Sequence, residues 1–146
     1  MLKTMAGSWQ AWALASAAFA ALTAVFAKVG VANVNADYAM FVRTLIIVAA
    51  AAVLVTVTGQ WRSPWSLDGR SLGFLVASGL ATGASWLCYF RALQLGEASR
   101  VAPVDKLSVV LVAVFAAVFL GERLDPRGWL GVGLITAGAL VLAWKR

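Results

Sequence analysis

Residues 45–57 read Leu-Ile-Ile-Val-Ala-Ala-Ala-Ala-Val-Leu-Val-Thr-Val, without a charge and without alternation of polar and apolar positions. Lipid offers bare backbone no hydrogen-bond partner, so a spanning segment is either a helix or a strand of a closed barrel. Barrel strands alternate polar and apolar side chains over about 10 residues. This stretch does not, so it is read as a helix. Working outward, the apolar run covers residues 38–58, and four others of the same kind cover 9–31, 72–95, 101–120 and 128–144. A membrane helix needs about 20 apolar residues, with a range of about 17–25. The last run lies at the short end. The expected fold class is an all-α membrane protein, a five-transmembrane-helix bundle with residues 1–146 as a single domain. The connections are too short for a soluble domain, so function belongs to the helices and their ends. The first run, at about 23 residues, is longer than a signal-peptide core of about 7–15, and is expected to stay as a membrane helix.

Composition points the same way: 62% of residues are hydrophobic and 12% charged, against about 45–50% and about 25% in soluble domains. Histidine is absent, which excludes a Ser–His–Asp triad, a histidine proton relay and a histidine-based metal site. No catalytic constellation is readable on any helix face, so an enzyme is not expected, nor a metal centre or cofactor. The single cysteine, Cys88, cannot form an intramolecular disulfide and reads as small apolar filler inside the third run. The net charge of +6 is scattered over helix ends rather than gathered in a stripe. That pattern fits lipid headgroups, not nucleic acid.

Five spans place the termini on opposite sides, A for the N-terminus and B for the C-terminus. Lys3, Arg62, Arg70, Arg123 and Arg127 fall to side A; Lys28, Arg43, Arg91, Arg100, Lys106, Lys145 and Arg146 fall to side B. The split of 5 against 7 accounts for all 12 bases and leaves the positive-inside rule little to act on. Side A is expected to be cytoplasmic, and insertion in both orientations is compatible with the balance. Trp9, Trp12, Trp61, Trp65 and Trp129 mark the side A interface, and Trp144 with Tyr38 marks side B. Gly96 is expected to cap the third helix, Ser99 to cap the fourth and Pro103 to lie in its first turn. Gly121 is expected to stop the fourth helix, and Asp125-Pro126 to open the fifth.

Ionisable groups inside a span cost about 2.5–3.5 kcal/mol at mid-helix on insertion scales, so they mark candidate sites. Arg43, Arg91, Asp105 and Lys106 all lie a few residues below side B, with Lys28 slightly shallower. Together they predict a half-buried electropositive layer open to side B. The competing reading is structural: the bases snorkel to the interface, and Asp105 neutralises Arg43 or Arg91. Asp105 and Lys106 are adjacent on one helix and so should point about 100° apart. Asp105, Ser108, Val112 and Ala116 form one stripe of the fourth span. Gly79 and Gly83 form a GxxxG pair suited to close helix packing, with Trp86 and Phe90 on the same face. Trp86 reads either as a packed core aromatic or as a platform for substrate.

The segment from Trp86 to Arg123 carries more. It runs Tyr89-Phe-Arg-Ala-Leu-Gln-Leu-Gly96, Glu-Ala-Ser-Arg-Val-Ala-Pro103, Val-Asp-Lys-Leu-Ser108 and, at its end, Phe119-Leu-Gly-Glu-Arg123. Gly128, Gly131, Gly133 and Gly138 follow in the last helix. This ordered set resembles the EamA family of the drug/metabolite transporter superfamily, which shows a Tyr-x-Arg/Lys-Ala-Leu end to the third helix, an Ala-Pro early in the fourth, Gly-Glu after it and an arginine early in the second. The resemblance covers the whole chain. Many members carry two inverted five-helix repeats; this chain looks like one repeat, as in the five-helix bacterial and archaeal branch. The resemblance implies a secondary transporter of a small metabolite or drug-like compound in the cell inner membrane. It also implies a dimer, antiparallel or made with a similar small protein, because inverted repeats build their site at a shared interface. By that implication Arg43, Trp86, Tyr89, Arg91, Asp105, Lys106 and Ser108 would line the substrate cavity, and Asp105 is the candidate for proton coupling. The alternative is a non-transporting membrane subunit, or half of a heteromeric transporter.

Overall fold

The computed structural model describes residues 8–144; Lys3, Lys145 and Arg146, counted above among the flanking charges, lie outside the described residues. Helix α1 spans Trp9–Gly30, α2 Ala36–Val57 and α3 Gly69–Leu95, with a short 3₁₀ turn at Pro64–Ser66 before α3. The fourth span, Ala98–Leu120, consists of α4 (Ala98–Asp105), α5 (Ser108–Phe115) and one wide turn at Ala116–Leu120; α6 covers Pro126–Ala143. Among the described residues five helical segments, of 22, 22, 27, 23 and 18 residues, are long and apolar enough to cross a membrane. The chain is an all-α membrane protein.

Helices α2, α3 and α6 start two or three residues before their apolar runs begin, because polar caps and not apolarity set those starts. The Asn35 side chain accepts from the N–H of Asp37 at 2.9 Å and of Tyr38 at 3.2 Å, so α2 begins at Ala36. Asp68 accepts from the N–H of Ser71 at 2.9 Å at the head of α3; the Ser71 hydroxyl and N–H hold its carboxyl below the usual carboxylate range. Asp125 accepts from the N–H of Gly128 at 2.8 Å, with Pro126 in the first turn of α6 as expected. The fourth span departs from its expected start. Ala98 opens it, so Ser99 lies inside the first turn and does not cap it, and Pro103 is the sixth residue of α4.

Pro103 removes one donor from α4, and the chain leaves α geometry within the next turn. The N–H of Leu107 bonds to the carbonyl of Val104 at 3.0 Å, and those of Val109 and Val110 bond to Lys106 and Leu107, each three residues back. The stripe drawn through Asp105 and Ser108 is therefore interrupted between those two residues. At the other end Gly121 adopts φ 69°, and the N–H groups of Gly121 and Glu122 both bond to the carbonyl of Ala116. Gly121 does stop the span.

The described residues fall into two compact units, 8–26 with 95–144, and 27–94. In the first, α4 and α5 each pack on α6, with Ala116 and Ala139 buried. In the second, Ala27, Val31, Ala36, Phe90 and Leu93 are buried. Most large apolar side chains, Ile46, Leu54, Phe74 and Leu80 among them, are exposed on the single chain, as lipid-facing surface requires. Cys88 is exposed too and so fills no core. Trp9, Trp12, Trp61, Trp65, Trp129 and Trp144, all at or beyond helix ends, are exposed. A Cβ built on Gly79 or Gly83 would meet nothing within 4 Å, so neither glycine serves a close helix contact within residues 27–94.

Candidate functional site

Within residues 27–94 the side B ends of α1, α2 and α3 are joined by polar contacts. The Lys28 ammonium donates to the carbonyl of Leu93 at 2.6 Å, one of the last carbonyls of α3, which lack helical partners and carry the negative end of the helix dipole. Gln94 donates its amide to the carbonyl of Val34 at 2.6 Å and of Val31 at 3.4 Å, tying the α1–α2 connection to α3. The Arg91 guanidinium donates Nε and an amino group to the two oxygens of Asp37, at 3.1 and 2.9 Å. Asp37 thus takes the place proposed for Asp105 as the neutraliser of Arg91. The sequence reading missed Asp37; the signal that could have found it is that Asp37 is the only acid in the first 67 residues of the sequence.

The Arg91–Asp37 pair is about half exposed on the single chain. Exposed pairs contribute little to stability, although a two-bond fork is stronger than a single contact. A double-mutant cycle with Arg91→Gln and Asp37→Asn should therefore give a small favourable coupling in unfolding measurements on the reconstituted protein. Additive losses would show that the fork does not hold these ends together.

Arg43 is different. Its guanidinium carbon lies 3.5 Å from the centre of the Trp86 ring and 5.8 Å from that of Phe90. Tyr89 meets Trp86 edge-on, ring centres 5.4 Å apart and planes at 84°, and Phe90 meets it at 5.9 Å and 67°. Phe90 is buried, Trp86, Tyr89 and Arg43 half-buried. The platform is thus held on two edges and carries a cation on its face. Within residues 27–94, among the described residues, no carboxylate lies within ion-pair distance of Arg43. Snorkelling would draw the guanidinium toward side B. Instead it sits at Trp86, nine residues, or about 13 Å along the helix, before the end of α3.

Asp105, Lys106 and Ser108 belong to the other unit. The Lys106 ammonium lies 3.2 Å from the carboxylate of Asp105, so these neighbours meet rather than diverge: α4 ends at Asp105, and the long Lys106 side chain turns back from the break. Arg100 pairs with Glu97 at 3.1 Å. The electropositive layer thus resolves into bases with partners of their own, an aromatic face in the case of Arg43. Among the described residues no cluster of metal-ligating side chains occurs.

Comparison with known proteins gives these features a context. The profile of the EamA-like transporter family matches residues 7–144. A Sinorhizobium protein described as an "uncharacterized transporter in cobO 3'region" is 63% identical over 139 residues, covering 95% of this chain and 99% of the relative. A probable 4-amino-4-deoxy-L-arabinose-phosphoundecaprenol flippase subunit ArnE from Aeromonas hydrophila is 37% identical over 81 residues, covering 56% of this chain and 63% of the relative. The uncharacterized transporter YwfM of Bacillus subtilis is 28% identical over 100 residues, 68% of this chain, which spans about a third of that protein's length. No solved structure matches. Five membrane-length helices, the motif set from Tyr89 to Arg123 and a family match over nearly the whole chain lead to one conclusion: this multi-pass membrane protein belongs to the EamA-like transporter family.

Proposed function

We propose that the protein is a subunit of an assembled secondary transporter in the bacterial inner membrane, carrying a small metabolite or drug-like compound. The observation that carries this reading is Arg43. A charge set well inside a span, on a fixed aromatic platform and with no carboxylate of its own unit within ion-pair distance among the described residues, is expected along a substrate path. The second wall of that path would come from another copy, or from a similar small chain. Supporting this are Gly79 and Gly83, open faces that would let a partner helix approach closely. A homodimer would be antiparallel, for which the near-even division of Lys and Arg is suited. A specific relationship favours a second reading, half of a heteromer: the Aeromonas relative is named as a flippase subunit.

Cysteine crosslinking from Gly79→Cys in native membranes, with Cys88 replaced by Ala, should trap a two-chain species through α3. Proteoliposomes holding this chain alone should transport if it pairs with itself. A crosslinked homodimer without transport would favour the heteromer, and full transport by a monomer would overturn the assembly.

A further inference from the structure

The stacking of Arg43 on Trp86 decides which part of the guanidinium is available. A guanidinium is planar, and its five N–H donors lie in that plane, radiating from its edge. Seated over a ring at 3.5 Å, it uses one face for the aromatic contact, and such stacking leaves the edge donors uncommitted. Among the described residues Arg43 makes no hydrogen bond, whereas Arg91, Lys28 and Lys106 all do. Donors left half-buried without an acceptor are costly. Trp86 is itself held by Tyr89 and Phe90, so the guanidinium is fixed before any ligand arrives, which lowers the ordering cost of binding. The acceptor that matches two parallel donors of this group is a carboxylate or phosphate.

We infer that Arg43, held on Trp86, is a binding site for the oxyanion of a small organic acid or phosphate ester. The inference rests on the transport reading for its purpose, and narrows the substrate class to anions. Binding can be read without transport, so the two stand or fall separately: a protein that binds anions at Arg43 but carries nothing would overturn transport and leave this site intact.

The test measures the melting temperature of the purified protein in neutral detergent with benzoate, phenyl phosphate, inorganic phosphate and the neutral benzamide. The organic anions should raise it by several degrees, and benzamide should not. Arg43→Gln should abolish the rise, and Arg43→Lys, which keeps the charge without the planar fork, should retain only part of it. If Arg43→Gln does not fold, Trp86→Phe, which keeps a smaller platform, should weaken apparent affinity for phenyl phosphate several-fold. A parallel series in nanodiscs compares phosphatidylcholine with phosphatidylglycerol. Stabilisation by phosphatidylglycerol that depends on Arg43, with no response to free anions, would support the oxyanion site and assign it to a lipid headgroup. Equal shifts with benzamide, shifts that survive in Arg43→Gln, or no response to any oxyanion would overturn it.

Discussion

Replacing Phe90 with alanine is expected to destabilise the protein more than any other single aromatic truncation in residues 27–94. Phe90 is 2% exposed, and it braces the Trp86 ring at 5.9 Å. Truncating a buried Phe costs about 3–5 kcal/mol in soluble cores, part of it transfer from water and part the cavity left behind. In a bilayer the transfer part shrinks, because lipid is as apolar as the core, and packing carries the remainder. Phe90 is near the side B end of α3, so it should keep much of the full cost, about 2–4 kcal/mol. Phe74→Ala is the control: Phe74 is 69% exposed on the single chain, and its loss should cost under about 1 kcal/mol. Equilibrium unfolding in bicelles would compare the two. A Phe74→Ala loss as large as that of Phe90→Ala would mean that the packing around Trp86 does not hold this unit together.

Arg43→Met should cut transport of phenyl phosphate or benzoate into proteoliposomes by at least tenfold, roughly the 1.4 kcal/mol of a single lost charged contact or more. The substitution separates function from structure. Met preserves the apolar stem and can still lie against Trp86 through its sulfur, so a purely structural Arg43 would be replaced with little effect on uptake. A group that receives substrate would not. Melting within a few degrees of the parent, together with lost uptake, is the expected combination. Normal uptake by Arg43→Met would remove Arg43 from the substrate path.

The two substitutions read different levels of the same cluster, and the sequence revealed those levels unequally. Five apolar runs were visible because lipid forces every spanning segment to be uniformly apolar for about 20 residues, a pattern that survives ignorance of every contact. The caps Asn35, Asp68 and Asp125 shifted helix starts by two or three residues, since a cap is polar and falls outside any apolar count. Arg43 and Arg91 stood out as candidates for the same reason the spans did, as exceptions to uniform apolarity, and Trp86 as a tryptophan set inside a span and not at an interface. Their partners were not legible. Depth along a helix follows from position, but which way a long side chain turns follows from its neighbours in space. Hence Arg91 reaches Asp37, fifty-four residues away in the chain; Lys106 closes on its own neighbour because α4 breaks there; and Arg43 settles on Trp86. The chain's composition determined that charges would be rare and conspicuous, and that is a property of residues one at a time. Only the folded helices decided which charges are neutralised and which one lies on an aromatic face, because pairing depends on rotation about helix axes and on one break in a ladder, neither of which apolar patterning encodes.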